Sequence, residues 1–239
     1  MNKLVALLLF ASSIAWAQPK HVEVFNAEQQ PAPTVILAHA CGGVNAHMFN
    51  QAKIYKSWGY NAVVVDSFTP RGFANCVVAQ SSTPQGSERK PELVETAKWV
   101  RSQAWHKGGV ALVGWSHGAT TAIAIANDSS IKEFNAIAAY YPQCSGKIAI
   151  GTTFDNPRVP TLLFLGARDD WTPSSACESA ITPWFKSRKD LYKVTVYPNA
   201  THVFDDPKIT NRYGKTLEYD PLATTDSHQQ LQRQWKELL

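Results

Sequence analysis

The pentapeptide Gly114-Trp115-Ser116-His117-Gly118 constrains this chain more than any other stretch. It follows a β-branched apolar run, Val110-Ala111-Leu112-Val113. It leads into Ala119-Thr120-Thr121-Ala122-Ile123-Ala124-Ile125-Ala126, which reads as a buried helix. A strand joined to a helix by so short a turn must reverse its backbone within one or two residues. Glycine on either side lets strand and helix close in without a Cβ between them, and the residue at the apex takes a strained conformation. The serine hydroxyl is thereby lifted above the carboxyl end of the sheet. It stands at the start of a helix whose first N–H groups have no intrahelical acceptor and can hold a negative oxygen. This is the context of a G-x-S-x-G nucleophile elbow; the plain alternative is a glycine-rich turn without chemistry.

A hydroxyl becomes a useful nucleophile only when a base takes its proton, and the base needs a carboxylate to fix its tautomer and steady its charge. Around such elbows the chain order is nucleophile, acid, histidine. Downstream of Ser116, the apolar run Thr161-Leu162-Leu163-Phe164-Leu165 ends in Gly166-Ala167-Arg168-Asp169-Asp170. The run Lys193-Val194-Thr195-Val196-Tyr197 ends in Pro198-Asn199-Ala200-Thr201-His202. Both candidates sit just past the carboxyl end of an expected strand, where open α/β sheets place their sites. His202 is the expected base. Asp169 is the expected acid, with Asp170 left to cap the next helix or bond backbone.

A second glycine-rich turn, His39-Ala40-Cys41-Gly42-Gly43, follows the strand ending at Ala38. That is where an oxyanion hole takes its other backbone N–H, so the N–H groups of Cys41 and His117 are the expected pair. Strands are expected near 22–24, 34–38, 62–66, 110–113, 136–140, 161–165 and 194–197. Helices are expected near 47–58, 91–102, 119–127 and 174–187, with a last one from about Ser227, where Ser227-x-x-Gln230 resembles a capping box. The alternation implies an α/β fold with a mostly parallel sheet covered by helices on both faces. Residues 68–90 and 205–226 resist periodic reading and are expected to be long loops beside the site.

The 239 residues, 44% hydrophobic and 18% charged, suffice for one sizeable core and suggest no second domain. A net charge of +4 is modest and scattered. Lys186, Arg188 and Lys189 read as the solvated end of a helix, not a nucleic-acid groove. No phosphate-binding glycine loop or metal-spaced His/Cys cluster is seen, and no cofactor is expected.

Residues 1–17 read as an export signal, leaving 18–239 as a single domain. Met1-Asn2-Lys3 is a positive start, residues 4–11 an apolar stretch, and Ala15-Trp16-Ala17 a small-x-small cleavage site. The stretch is too short to span a bilayer, and no Cys at the cleavage point invites lipid attachment. A periplasmic or secreted chain without a stable membrane anchor is expected. The four cysteines are then bound for an oxidising compartment. Three pairings exist. Placement after strand ends favours Cys41–Cys76 and Cys144–Cys177, each closing a loop of roughly 35 residues worth about 3–4 kcal/mol.

Several segments together resemble the dienelactone hydrolase family of α/β-hydrolases, in an exported serine-nucleophile branch. They are residues 39–45, Asp66-Ser67-Phe68-Thr69-Pro70-Arg71-Gly72, 114–118, Tyr141-Pro142-Gln143-Cys144, Gly166-Ala167-Arg168-Asp169-Asp170-Trp171-Thr172-Pro173 and 197–204. The resemblance implies the α/β-hydrolase fold and Asp169 as the acid, third after its glycine. The founding enzymes use a Cys nucleophile assisted by a Glu on the first loop, where this chain has Ser116 and Ala40. That departure points away from the dienelactone substrate and toward ordinary Ser–His activation. Arg71 lies where a substrate carboxylate could be held, or as a loop-fixing ion pair with Asp66. Trp115, inside the elbow, is the other candidate substrate contact. The expectation is an exported serine hydrolase of small-molecule esters or lactones. A peptidase or acyltransferase with the same three residues is the enzymatic alternative, and a binding protein on the same scaffold the non-enzymatic one.

Overall fold

Apolar residues that alternate along the central strands serve two different faces, and this fixes the layering. The computed structural model describes residues 18–76, 84–154, 156–185 and 190–239. The expected export signal and the basic cluster Lys186, Arg188 and Lys189 lie outside them. Strands β1 (Val22–Phe25), β2 (Ala32–Ala38), β3 (Asn61–Val65), β4 (His106–Trp115), β5 (Ala136–Tyr140), β6 (Thr161–Gly166) and β7 (Tyr192–Tyr197) form one sheet. Its order is β1-β3-β2-β4-β5-β6-β7. Only β1 runs antiparallel among them; the rest pair in parallel.

Val35, Leu37, Val64, Ala111 and Val113 point to one face. There they meet Met48, Ala52 and Tyr55 of α1 (Ala46–Ser57) and Leu231 and Trp235 of α5 (Pro221–Leu238). Their neighbours Ile36, Ala38, Val63, Val110 and Leu112 point the other way, onto Leu93, Ala97 and Val100 of α2 (Lys90–Arg101) and Ala122 and Ile125 of α3 (His117–Ala126). Farther along that face, Ala119 and Ile123 of α3 pack with Leu163, Leu165 and Cys177, the last on α4 (Ser174–Phe185). Such alternation is the period-two signature of a strand buried on both sides. All ten residues of α3 are buried. No helix among the described residues is long and apolar enough to cross a membrane.

Two boundaries differ from the sequence expectation by four residues or more. The last helix starts at Pro221, with the Asp220 carboxylate accepting from the N–H groups of Leu222 and Ala223. Ser227 is therefore interior rather than a cap, its hydroxyl donating to the Thr224 carbonyl. Asp220-Pro221 is the stronger start, because the acid accepts the orphan donors and Pro lacks one. Strand β4 begins at His106, whose Nδ1 lies 2.9 Å from the Thr34 hydroxyl on β2. The cysteines come together as Cys41 with Cys76 and Cys144 with Cys177, Cα atoms 4.8 and 4.9 Å apart.

Candidate active site

The register of β4 assembles the site. Gly114 lies beside Ala38 of β2, and Trp115 beside Tyr140 of β5, so three neighbouring strands end at one level. Between β4 and α3, Ser116 adopts φ 49° and ψ −111°, a positive φ outside the usual range for a residue with a side chain. The flanking glycines are needed for contact: a Cβ on Gly114 would run into the Gly118 carbonyl, and one on Gly118 into the Ala38 carbonyl. The Ser116 N–H is held by the Tyr140 carbonyl at 2.9 Å.

Ser116 Oγ lies 3.1 Å from Nε2 of His202, and Nδ1 of His202 lies 2.7 Å from Oδ2 of Asp169. With a carboxylate at Nδ1, that nitrogen carries the hydrogen and Nε2 is left to accept from serine. Asp169 is itself fixed: its Oδ1 accepts from the N–H groups of Trp171 (2.9 Å) and Thr172 (2.7 Å). The Thr172 hydroxyl is 2.9 Å from Asp169 Oδ2 and 3.2 Å from the Tyr141 carbonyl, which gives it both an acceptor and a support. Asp170 points away, its exposed carboxylate accepting from the Thr216 N–H. Tyr141 and Trp171 flank the His202 ring, centroids 4.6 and 5.3 Å away.

A cavity of about 550 Å³ opens over Ser116 and His202. Cys41 lines it on one side; Trp171, Tyr213 and Lys147 line it on others. Trp171 and Tyr213 meet edge to face, centroids 5.8 Å apart. Among the described residues no group of His, Cys, Asp and Glu is arranged to hold a metal ion.

Beneath the cavity lies a polar hub that sequence reasoning passed over. Asp205 is buried and accepts from Trp115 Nε1 (2.7 Å), Tyr141 Oη (2.7 Å) and Gln51 Nε2 (3.2 Å), with His47 Nε2 at 3.2 Å. Burial alone would raise its pKa, but the His47 charge and these hydrogen bonds outweigh it and hold the carboxyl below the ordinary value. Burial likewise opposes a charged His47, yet the charge and hydrogen bond of Asp205 hold the imidazole above its ordinary value. His39 differs, although Asp66 lies 3.8 Å away. Burial first and the Arg89 charge second push its pKa well down, so it stays neutral, with Nε2 accepting from the Ser67 N–H.

Two expected substrate contacts are corrected. Trp115 is fully buried, stacked on Tyr140 at 5.6 Å and tied to Asp205. As the last residue of β4 it faces the core between sheet, α1 and α5, away from the cavity. Arg71 does not line the cavity either. Its guanidinium donates to the carbonyls of Ser67 (2.8 Å) and Glu88 (2.9 Å) and pairs with Glu92 on α2, rather than with Asp66. Asp66 instead accepts from the N–H groups of Phe68 and Thr69.

The dienelactone hydrolase family model matches residues 21–238, nearly the whole described chain. The chain belongs to the dienelactone hydrolase family. Solved structures agree on the fold. A Klebsiella pneumoniae protein whose name places it with dienelactone hydrolases is 18% identical, with TM-score 0.74 over 92% of this chain and 90% of its own. A dienelactone hydrolase-like promiscuous phosphotriesterase from metagenomic libraries is 22% identical, with TM-score 0.69 over 91% and 92%. Dienelactone hydrolase from Anabaena variabilis is 16% identical, with TM-score 0.64 over 91% of each chain. No curated protein matches the sequence. The architecture is thus that of the α/β-hydrolases, and the family is one of hydrolases. At the position where this chain carries its elbow residue stands Ser116.

Proposed function

We propose that this member of the dienelactone hydrolase family is an exported serine hydrolase that cleaves carboxylic esters or lactones through an acyl-enzyme. The observation that carries the reading is the unbroken hydrogen-bond chain from Asp169 through His202 to Ser116 at the floor of a cavity. Ser116 Oγ attacks the carbonyl carbon while His202 Nε2 takes its proton, and Asp169 steadies the imidazolium. The carbonyl oxygen becomes an oxyanion held by the backbone N–H groups of Cys41 and His117. His202 then hands its proton to the leaving alcohol. Water, activated by the same imidazole, releases the acid and restores the serine hydroxyl. Every step is acid–base and nucleophilic, so the sequence of events asks nothing of a metal or organic cofactor.

The cavity volume suits a small molecule rather than a polymer chain. Its aromatic pair and its cationic Lys147 make esters of aromatic and of anionic acids the first to test beside simple alkanoates. Export is supported by the N-terminal pattern and by the two close cysteine pairs. The decisive experiment treats the purified protein with a fluorophosphonate probe. Wild type is expected to be labelled stoichiometrically at Ser116 and to hydrolyse at least one ester of the panel, while Ser116→Ala folds, resists the probe and loses turnover by three orders of magnitude or more. Activity of Ser116→Ala within tenfold of wild type would overturn the assignment.

A further inference from the structure

The long loop before α2 delivers a side chain that the mechanism above does not use. Arg89 is completely buried, its guanidinium stacked 4.9 Å from the Phe68 ring. Its Nη1 is 3.0 Å from the His39 carbonyl and 2.8 Å from His117 Nδ1. Its Nε and Nη2 have no hydrogen-bond partner among the described residues. The nearby carboxylate, Glu92, is taken by Arg71. A buried cation so incompletely paired is costly to keep, and replacing such groups with apolar ones is often neutral or stabilising. Stability alone is therefore a poor reason for this arginine.

What Nη1 does touch is specific. The His39 carbonyl is the hinge from which residues 40–43 depart, and Cys41 on that loop lines the cavity. His117 is the first residue of α3, and its ring is pinned at both nitrogens: Nδ1 by Arg89, and Nε2, 2.7 Å away, by the Pro84 carbonyl. Because an arginine only donates, Nδ1 must accept and Nε2 must carry the hydrogen. Burial, then the Arg89 charge, push the His117 pKa down to about 3, so the ring keeps that tautomer at any working pH. One nitrogen thus holds both segments that present the proposed oxyanion donors, from a buried position that does not line the cavity.

We propose that Arg89 is a positioning residue for the oxyanion hole, setting the spacing between the N–H groups of Cys41 and His117 and lending its charge to that region. The proposal rests on the serine-hydrolase reading. Donors fixed before reaction stabilise the transition state without reorganising, whereas they contribute little to ground-state binding. Loosening them should therefore lower kcat and leave KM alone.

The test compares wild type, Arg89→Met and Arg89→Lys on the best ester of the panel, with kcat normalised to sites titrated by the fluorophosphonate. Arg89→Met is expected to lose about 10- to 100-fold in kcat, less than deleting a donor outright, with KM within twofold. Arg89→Lys keeps the charge and one contact but not the planar fork, and is expected to fall between the two. Should Arg89→Met fail to fold, a fivefold or greater kcat loss in Arg89→Lys at constant KM still supports the proposal. Wild-type kcat per titrated site in either folded variant, or a loss confined to KM or Tm, would overturn it. If wild type itself does not label at Ser116, the serine-hydrolase reading falls and this proposal with it; normal labelling with normal turnover in the variants removes Arg89 alone.

Discussion

Replacing Asp205 with alanine strips one acceptor from four donors at once. Trp115 Nε1 and Tyr141 Oη, each 2.7 Å away, lose their partner inside the core, and His47 loses its counter-charge. Breaking a buried ion pair from one side costs about 3–5 kcal/mol, and each stranded donor adds roughly 1–3 kcal/mol. Relaxation and entering water offset part of that sum, leaving about 4–6 kcal/mol. At roughly 2–4 °C per kcal/mol for a chain of this size, Tm should fall by about 10–20 °C. The sign with pH follows from the two shifts. Asp205, held low, contributes stability above the ordinary carboxylate value that is lost as pH falls through its lowered folded pKa. His47, held high, contributes stability below its ordinary value of 6.5 that is lost as pH rises through its raised folded pKa. The pair is most stabilising between about pH 4 and 6.5. His228, whose pKa is lowered by burial, shares the neighbourhood without reversing that sign. Thermal unfolding followed by circular dichroism, at pH 5.5 and 8.5, measures the gap between wild type and Asp205→Ala. A gap under 3 °C, or one that widens at the higher pH, would refute the reasoning.

Asp169→Asn should cost at least a hundredfold more turnover than Asp170→Asn, since only Asp169 reaches His202; side-by-side kcat values decide it, and near-equal losses would count against the assignment. Cys41→Ser and Cys76→Ser should suffer alike, losing stability by about 2–4 kcal/mol in denaturant titrations and some kcat through a looser Cys41 loop. A dead Cys41→Ser beside a fully active Cys76→Ser would give the Cys41 sulfur a direct role.

What was legible in the sequence was whatever depends on neighbours in the chain. The elbow, its glycines and the strands before Asp169 and His202 are local patterns, and the order of those strands brings their ends together. The third residue after Gly166 and the fifth after Tyr197 could thus be read as partners before any distance was known. Side-chain direction was less accessible. Trp115 neighbours Ser116 in sequence, but the pleat sends the two to different places, one to the core and one to the cavity. Arg71 was expected to hold a substrate carboxylate or to pair with Asp66; the turn between them instead directs the guanidinium toward α2. Arg89 and Asp205 sat in stretches without periodicity, and their partners are 28 to 158 residues distant, beyond any local signal. Thr172 was visible inside a quoted motif, yet a threonine after an aspartate is common in turns, and nothing in its neighbours announces a second bond to the acid.

The complete burial of α3 has a consequence for how such a protein can change. Every residue of the helix that begins beside Ser116 is buried, so its tilt and depth are set mainly by the sheet and by the helices α2 and α4 packed against it. Trp171 and Tyr213 line the cavity from two separate loops that are not part of this packing. Substitutions there can reshape what enters the cavity while the serine's bearing stays where it is. Appetite and aim are inherited on different parts of the chain, and the first can drift through many substrates without the second being rebuilt.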